Sequence, residues 1–193
     1  MFFHGGALYE SAGQYGHSNM RKVDLESGKP LFRHDFDDRY FLEGSTILDG
    51  KLFILTWLEG KVFVCNPDTF EEEAQFDIRR QGWGLTTDGT QLIMSDGSAQ
   101  LFFINPARFD IVRSITVRRD GKSVRWLNEL EYIDGRIWAN VYLTDEIVII
   151  NPESGEVEGV VDCTGLLPEE LRSPDTDVLN GIAYHPEDGA IYI

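Results

Sequence analysis

Apolar and polar positions alternate in short runs along this chain, and the runs are cut by turns of two recurring kinds. The first kind opens on Asp or Asn: Asp24-Leu25-Glu26-Ser27-Gly28-Lys29, Asn66-Pro67-Asp68-Thr69-Phe70, Asn105-Pro106-Ala107-Arg108-Phe109 and Asn151-Pro152-Glu153-Ser154-Gly155, spaced by 42, 39 and 46 residues. Asn-Pro starts a turn because Pro presets φ and the Asn side chain bonds the backbone two residues on. The runs before these turns, at 21–23, 61–65, 101–104 and 146–150, predict strands. The second kind is Asp-Gly or Gly-Gly, at Gly5-Gly6, Asp49-Gly50, Asp88-Gly89, Asp134-Gly135 and Asp188-Gly189, each followed by another strand-like run. No long segment keeps a 3.6-residue period, and Pro168-Glu169-Glu170-Leu171 is at best one helical turn.

A repeat of about 40 residues with four short strands each fits the blade of a β-propeller. Five Asp-Gly or Gly-Gly turns predict five blades, so the fold class is all-β and the architecture a five-bladed β-propeller with its last blade incomplete in this chain. Residues 1–193 are expected to form one propeller domain. It is read as a fragment, missing the first inner strand, of which Met1-Phe2-Phe3 is the tail, and the C-terminal closing strands, so that ring closure is open. The alternatives are an irregular β-sandwich, which the period disfavours, and a larger propeller.

Composition narrows the function. With 17 Lys and Arg against 33 Asp and Glu the net charge is −16, opposite to what a polyphosphate partner needs, so nucleic acid is not expected as a partner. No run approaches the ~20 apolar residues of a membrane span, and the first six residues lack the basic region and apolar core of a signal peptide. Cys65 and Cys163, 98 residues apart, have no partner spacing and read as small buried apolar side chains.

Superposing the repeats by their turns separates positions the architecture dictates from positions it leaves free. At the start of each inner strand the aligned residues are Glu43, Trp83, Asn128 and Asn180, followed by Gly44, Gly84, Glu129 and Gly181. At the far end of the next strand stand Gly13, Trp57, Gly97 and Tyr142. A propeller brings these ends to one mouth of its channel. Packing gives no reason for Glu, Trp, Asn and Asn at one equivalent position, so they read as a site on rigid strand ends. The plain reading is a wet polar mouth plugged by two indoles, and the glycines are read as points of close strand approach. His4, His17, His34 and His185 show no ligand spacing, Ser95-Asp96-Gly97-Ser98 lacks a nucleophile elbow, and Arg118-Arg119-Asp120-Gly121-Lys122 reads as a charged hairpin tip.

Eight stretches in order, among them Tyr40-Phe41-Leu42-Glu43-Gly44, Leu55-Thr56-Trp57, Gly82-Trp83-Gly84-Leu85, Leu127-Asn128-Glu129-Leu130-Glu131 and Leu179-Asn180-Gly181-Ile182-Ala183, resemble the plant and bacterial type of glutaminyl-peptide cyclotransferase. The resemblance covers nearly the whole chain. It implies a five-bladed propeller that converts an N-terminal glutamine of a peptide or protein to pyroglutamate and releases ammonia. It further implies Glu43 as catalytic carboxylate and Asn128 as polar active-site residue, with Phe41, Trp57 and Trp83 as an aromatic wall. Tyr142, where the family usually has Trp, and Asn180 complete the expected substrate-binding set. The family's upstream Phe-x-Gln-Gly-Leu and downstream Val-Thr-Gly-Lys motifs fall outside residues 1–193, so activity is expected of a chain completed at both ends. Family members are commonly exported, which suggests a secreted or periplasmic protein. A monomer without cofactor, metal or membrane partner is expected.

The chemistry suits such residues. The substrate's α-amine attacks its own side-chain carboxamide, and one carboxylate can take a proton from the ammonium and return it to the departing nitrogen, an aid worth roughly 10²–10⁴-fold. Desolvation among the aromatic rings is expected to raise the Glu43 pKa. Two other readings remain: a propeller that binds a peptide or protein at the mouth without catalysis, and a lactonase-like metal propeller with Glu43, Asn128 and Asn180 as ligands.

Overall fold

The computed structural model describes residues 1–174 and 176–193. Among them the chain forms four antiparallel four-stranded meanders, each ordered from inner to outer strand as in the sequence. The first blade holds β1 (Phe2–His4), β2 (Ala7–Ala12), β3 (Asn19–Val23) and β4 (Pro30–Asp35). The second holds β5 (Leu42–Leu48), β6 (Lys51–Thr56), β7 (Lys61–Cys65) and β8 (Glu72–Asp77). The third holds β9 (Leu85–Thr87), β10 (Leu92–Ser95), β11 (Gln100–Asn105) and β12 (Asp110–Thr116). A hairpin, β13 (Arg118–Arg119) and β14 (Lys122–Ser123), leads to the fourth blade, β15 (Leu127–Ile133), β16 (Arg136–Val141), β17 (Glu146–Ile150) and β18 (Val157–Asp162). After one 3₁₀ turn, Glu169–Leu171, the inner pair of a fifth sheet follows, β19 (Ala183–His185) and β20 (Ala190–Tyr192).

Both turn families sit where the pattern places them. Asp-Gly and Gly-Gly turns join each inner strand to its neighbour, with both central residues left-handed at Asp49-Gly50 and Asp134-Gly135. The Asx turns join the third strand of a blade to the fourth. Asn66 Oδ1 accepts the Asp68 and Thr69 amides, and Asn105 and Asn151 do the same in their blades. The fourth residue beyond each Asx is left-handed: Gly28, Phe70, Phe109 and Gly155. A phenylalanine in that conformation costs about 1–2 kcal/mol. Phe70 and Phe109 are buried between blades, and sinking a phenyl ring contributes about 1.5–3 kcal/mol, so burial offsets the strain.

Polarity falls toward the axis. Inner and second strands are mostly buried, while β4, β8 and β12 are largely exposed. Five apolar clusters fill five seams. Phe2, Tyr9 and Met20 meet Ile54 and Phe63 between the first two blades, and Leu55 and Val62 meet Leu85 and Met94 in the next. Phe103 packs with Leu127 and Ile137, and Ile147 packs with Ile182. Leu8 and Val23 of the first blade meet Ala183 of the fifth sheet, so the inner circle is closed and β19 lies beside β1.

The seams are also pinned by hydrogen bonds at one repeat position on the second strand. Ser11 Oγ donates to the Glu43 carbonyl at 2.5 Å, and Ser95 Oγ donates to the Asn128 carbonyl at 2.6 Å while accepting the Gly84 amide at 2.7 Å. Asn140 Oδ1 accepts the Gly181 amide at 3.0 Å. Each pin fixes the first residues of the next inner strand. Gly84 lies so close to that strand that a Cβ there would stand 2.1 Å from the Asn128 carbonyl oxygen, which accounts for a glycine at this position.

Candidate active site

The pins hold the ends of β5, β15 and the segment before β9 around the mouth of one cavity of about 650 Å³. All seven residues singled out in the sequence line it: Phe41, Glu43, Trp57, Trp83, Asn128, Tyr142 and Asn180. Asn128 is 5% exposed and Asn180 is exposed at the rim. Cys65 and Cys163 are buried free thiols that do not line this cavity, and Arg118–Lys122 is a hairpin end.

The aromatic wall is an arc of ring contacts. Phe41 packs on Trp57 with centroids 5.5 Å apart, and Trp83 meets Tyr142 edge-on at 5.6 Å. Gly97 makes room for the Trp83 ring, since a Cβ there would come within 2.6 Å of it. Between Trp57 and Trp83 one atom does the positioning: Gln81 Oε1 accepts both indole N–H groups, at 3.1 and 2.9 Å.

Glu43 projects into this arc. Its carboxyl makes no hydrogen bond to another described residue, and burial pushes it up to about 8, with the Glu59 charge adding to the rise. Glu59 is itself fixed by the Tyr15 hydroxyl at 2.7 Å and the Phe41 amide at 3.4 Å. The floor of the cavity is different. Glu10 pairs with Arg21 at 2.7 Å, and Glu129 accepts the Ile182 amide at 2.8 Å. Burial raises the Glu129 carboxyl, against the pull of that amide. Glu131, beyond it on β15, accepts the Tyr184 amide at 3.1 Å and is raised to about 8 by burial and by the Glu129 charge. These two acids tie β19 to β15.

Among the described residues no three His, Cys, Asp or Glu side chains converge as a metal site. The arrangement offers one proton-accepting carboxyl, one buried carboxamide and a rigid apolar wall, which suits acid–base chemistry on a small amide more than anion binding.

Comparison with known proteins agrees with the geometry. The sequence profile of the glutamine cyclotransferase family matches residues 1–193. The chain belongs to the glutamine cyclotransferase family. It is 38% identical over 189 residues to the glutaminyl-peptide cyclotransferase of Arabidopsis thaliana, covering 96% of this chain and 59% of that protein. The crystal structure of Myxococcus xanthus glutaminyl cyclase superposes with a TM-score of 0.88 at 34% identity, over 98% of this chain and 82% of that one. Kuenenia stuttgartiensis hydrazine synthase, at 18% identity and a TM-score of 0.54 over 90% of this chain and 48% of that one, shares the fold alone.

Several residues of this family member's site escape a reading by pattern. Gln81 and Trp126 lie in connections between blades, two residues before Trp83 and Asn128 as Phe41 lies before Glu43, and that shared repeat position is the signal that could have found them. Glu59 sits in the turn after β6, and its link to Phe41 and Tyr15 exists only in three dimensions.

Proposed function

We propose that this protein cyclises the N-terminal glutamine of peptides or proteins to pyroglutamate and releases ammonia. The observation that carries the reading is Glu43: a half-buried carboxyl with no hydrogen-bond partner among the described residues, raised to about 8, in one cavity with an aromatic wall. Membership in the glutamine cyclotransferase family supports it.

In this scheme the Glu43 carboxylate takes a proton from the substrate α-ammonium. The freed amine attacks the side-chain carboxamide carbon, and the C–N bond of the five-membered ring forms as the carbonyl becomes an oxyanion. Asn128, the one buried carboxamide on the wall, donates to that oxyanion, a contribution of a few kcal/mol when well aimed. Glu43 then gives its proton to the amide nitrogen, the bond to it breaks and ammonia leaves. The ring nitrogen loses its second proton to Glu43, which passes it on to ammonia as ammonium, so the carboxylate ends as it began. Phe41, Trp57, Trp83 and Tyr142 fold the glutamine side chain toward its own amine and keep water from the carbonyl. Asn180, exposed at the rim, is placed to bond the peptide backbone as it leaves the cavity.

The test, on the chain completed at both ends, is ammonia release from a Gln-initiated peptide in the presence of a chelator. Release that continues and depends on Glu43 supports the reading. Tight peptide binding with no ammonia overturns it in favour of a peptide-binding propeller, and loss of release on chelation favours a metal-dependent one.

A further inference from the structure

Trp126 is the aromatic residue at the mouth whose placement folding does not explain. It stands at φ 65°, a left-handed conformation that costs an L side chain energy and that Gly or Asn would fill more easily. Its indole is 52% exposed. Two backbone bonds hold it there: its amide donates to the Gly97 carbonyl at 2.9 Å, and its carbonyl accepts the Tyr142 amide at 2.9 Å. The ring leans on Trp83 with centroids 6.1 Å apart and lines the cavity at its rim. A strained backbone that presents a half-bare indole beside the wall of a peptide site points to a ligand.

A peptide whose first side chain lies against Trp57 and Trp83, with its amine at Glu43, must leave through the mouth, and its second residue then passes the rim. We infer that Trp126 is a specificity-determining residue that stacks on the side chain following the N-terminal glutamine, so that the preferred substrates are Gln-initiated peptides with a large apolar or aromatic second residue. The inference rests on the cyclotransferase reading for its substrate and deepens it. An aromatic contact of this kind contributes roughly three- to tenfold in discrimination.

The experiment compares Gln-Phe-Ala with Gln-Gly-Ala in two ways: kcat/KM for ammonia release in the wild-type background, and affinity by calorimetry in the Glu43→Gln background. Each is repeated with Trp126→Gly, which suits the left-handed backbone, and with Trp126→Phe, which keeps a ring. The expected result is a Phe-over-Gly ratio of roughly three to ten that falls to about one in Trp126→Gly and is largely kept in Trp126→Phe. A ratio that survives Trp126→Gly overturns the inference. So does an equal loss on both peptides, because the indole then only props Trp83. Should neither peptide release ammonia, the cyclotransferase reading fails, while the affinity ratio still decides the role of Trp126. Absence of binding by either peptide overturns both.

Discussion

Inner strands β5 and β15 hold equivalent places in their blades, and both carry acids largely withdrawn from solvent beside the cavity, half-buried on β5 and buried on β15, in opposite surroundings. On β5 the Glu43 oxygens meet no donor among the described residues and share the cavity with indole rings. On β15 Glu129 accepts the Ile182 amide, and Glu131 holds the Tyr184 amide and, at 3.4 Å, the Thr86 hydroxyl. Glu43 and Glu131 are nevertheless raised to the same value, about 8. An elevated carboxyl therefore does not identify a proton carrier by itself. What separates the two strands is whether the acid's oxygens are already occupied: the β15 acids hold the ring together, while the β5 acid is free to exchange a proton with a visitor.

The strongest challenge to that contrast is Glu43→Gln, expected to keep the fold and peptide binding but to lower kcat roughly 10²–10⁴-fold in an ammonia-release assay. Full turnover would remove Glu43 from the mechanism. The same substitution carries a stability signature. Because the folded-state value lies above the ordinary 4.5, the stability linked to Glu43 is complete below about that pH and is lost as pH rises through about 8. The melting gain of Glu43→Gln should accordingly be small at pH 5 and reach several degrees at pH 9.

Next in size is the pH profile. The productive encounter has one proton shared between Glu43, at about 8, and an α-amine of ordinary pKa near 8, so kcat/KM should peak near pH 8 and fall about tenfold per unit on either side. A plateau extending down to pH 5 would mean that Glu43 is already ionised there, contrary to its burial. Gln81→Leu releases both indoles and should raise KM several-fold with a smaller change in kcat, whereas Gln81→Glu keeps an acceptor and most of the affinity. Identical KM values in the two variants would show that the wall needs no tether. The smallest effect is on β15: Glu131→Leu strands the Tyr184 amide, a loss of about 1–3 kcal/mol, read as a drop of a few degrees in Tm. An unchanged Tm with lost turnover would move Glu131 from architecture into chemistry.

The scaffold was legible because its signals are local. Asn66, Asn105 and Asn151 bond amides two and three residues on, and Asp49-Gly50 turns between adjacent strands, so each repeat announces itself within a few residues. Six of the seven candidate residues were legible for a related reason, being exceptions at positions where the repeat otherwise fixes geometry, and Phe41 entered through the family resemblance. Gln81 and Trp126 share the repeat position of Phe41, two residues before Trp83 and Asn128, but in connections where residue type is unconstrained, so only that position, and not their residue type, marks them. The work of Glu129 and Glu131 was hidden differently, since their partners on and beside β19 lie 53 residues away and are set by blade closure.

The Ser95 hydroxyl, bonded at once to the Gly84 amide and the Asn128 carbonyl, acts as a rivet through the seam between the third and fourth blades. The separation of the Trp83 wall from the Asn128 carboxamide is thereby a dimension of the frame. Loops at the entrance can then be swapped or lengthened to retune which peptides are admitted, and the gauge on which ring closure depends stays the same.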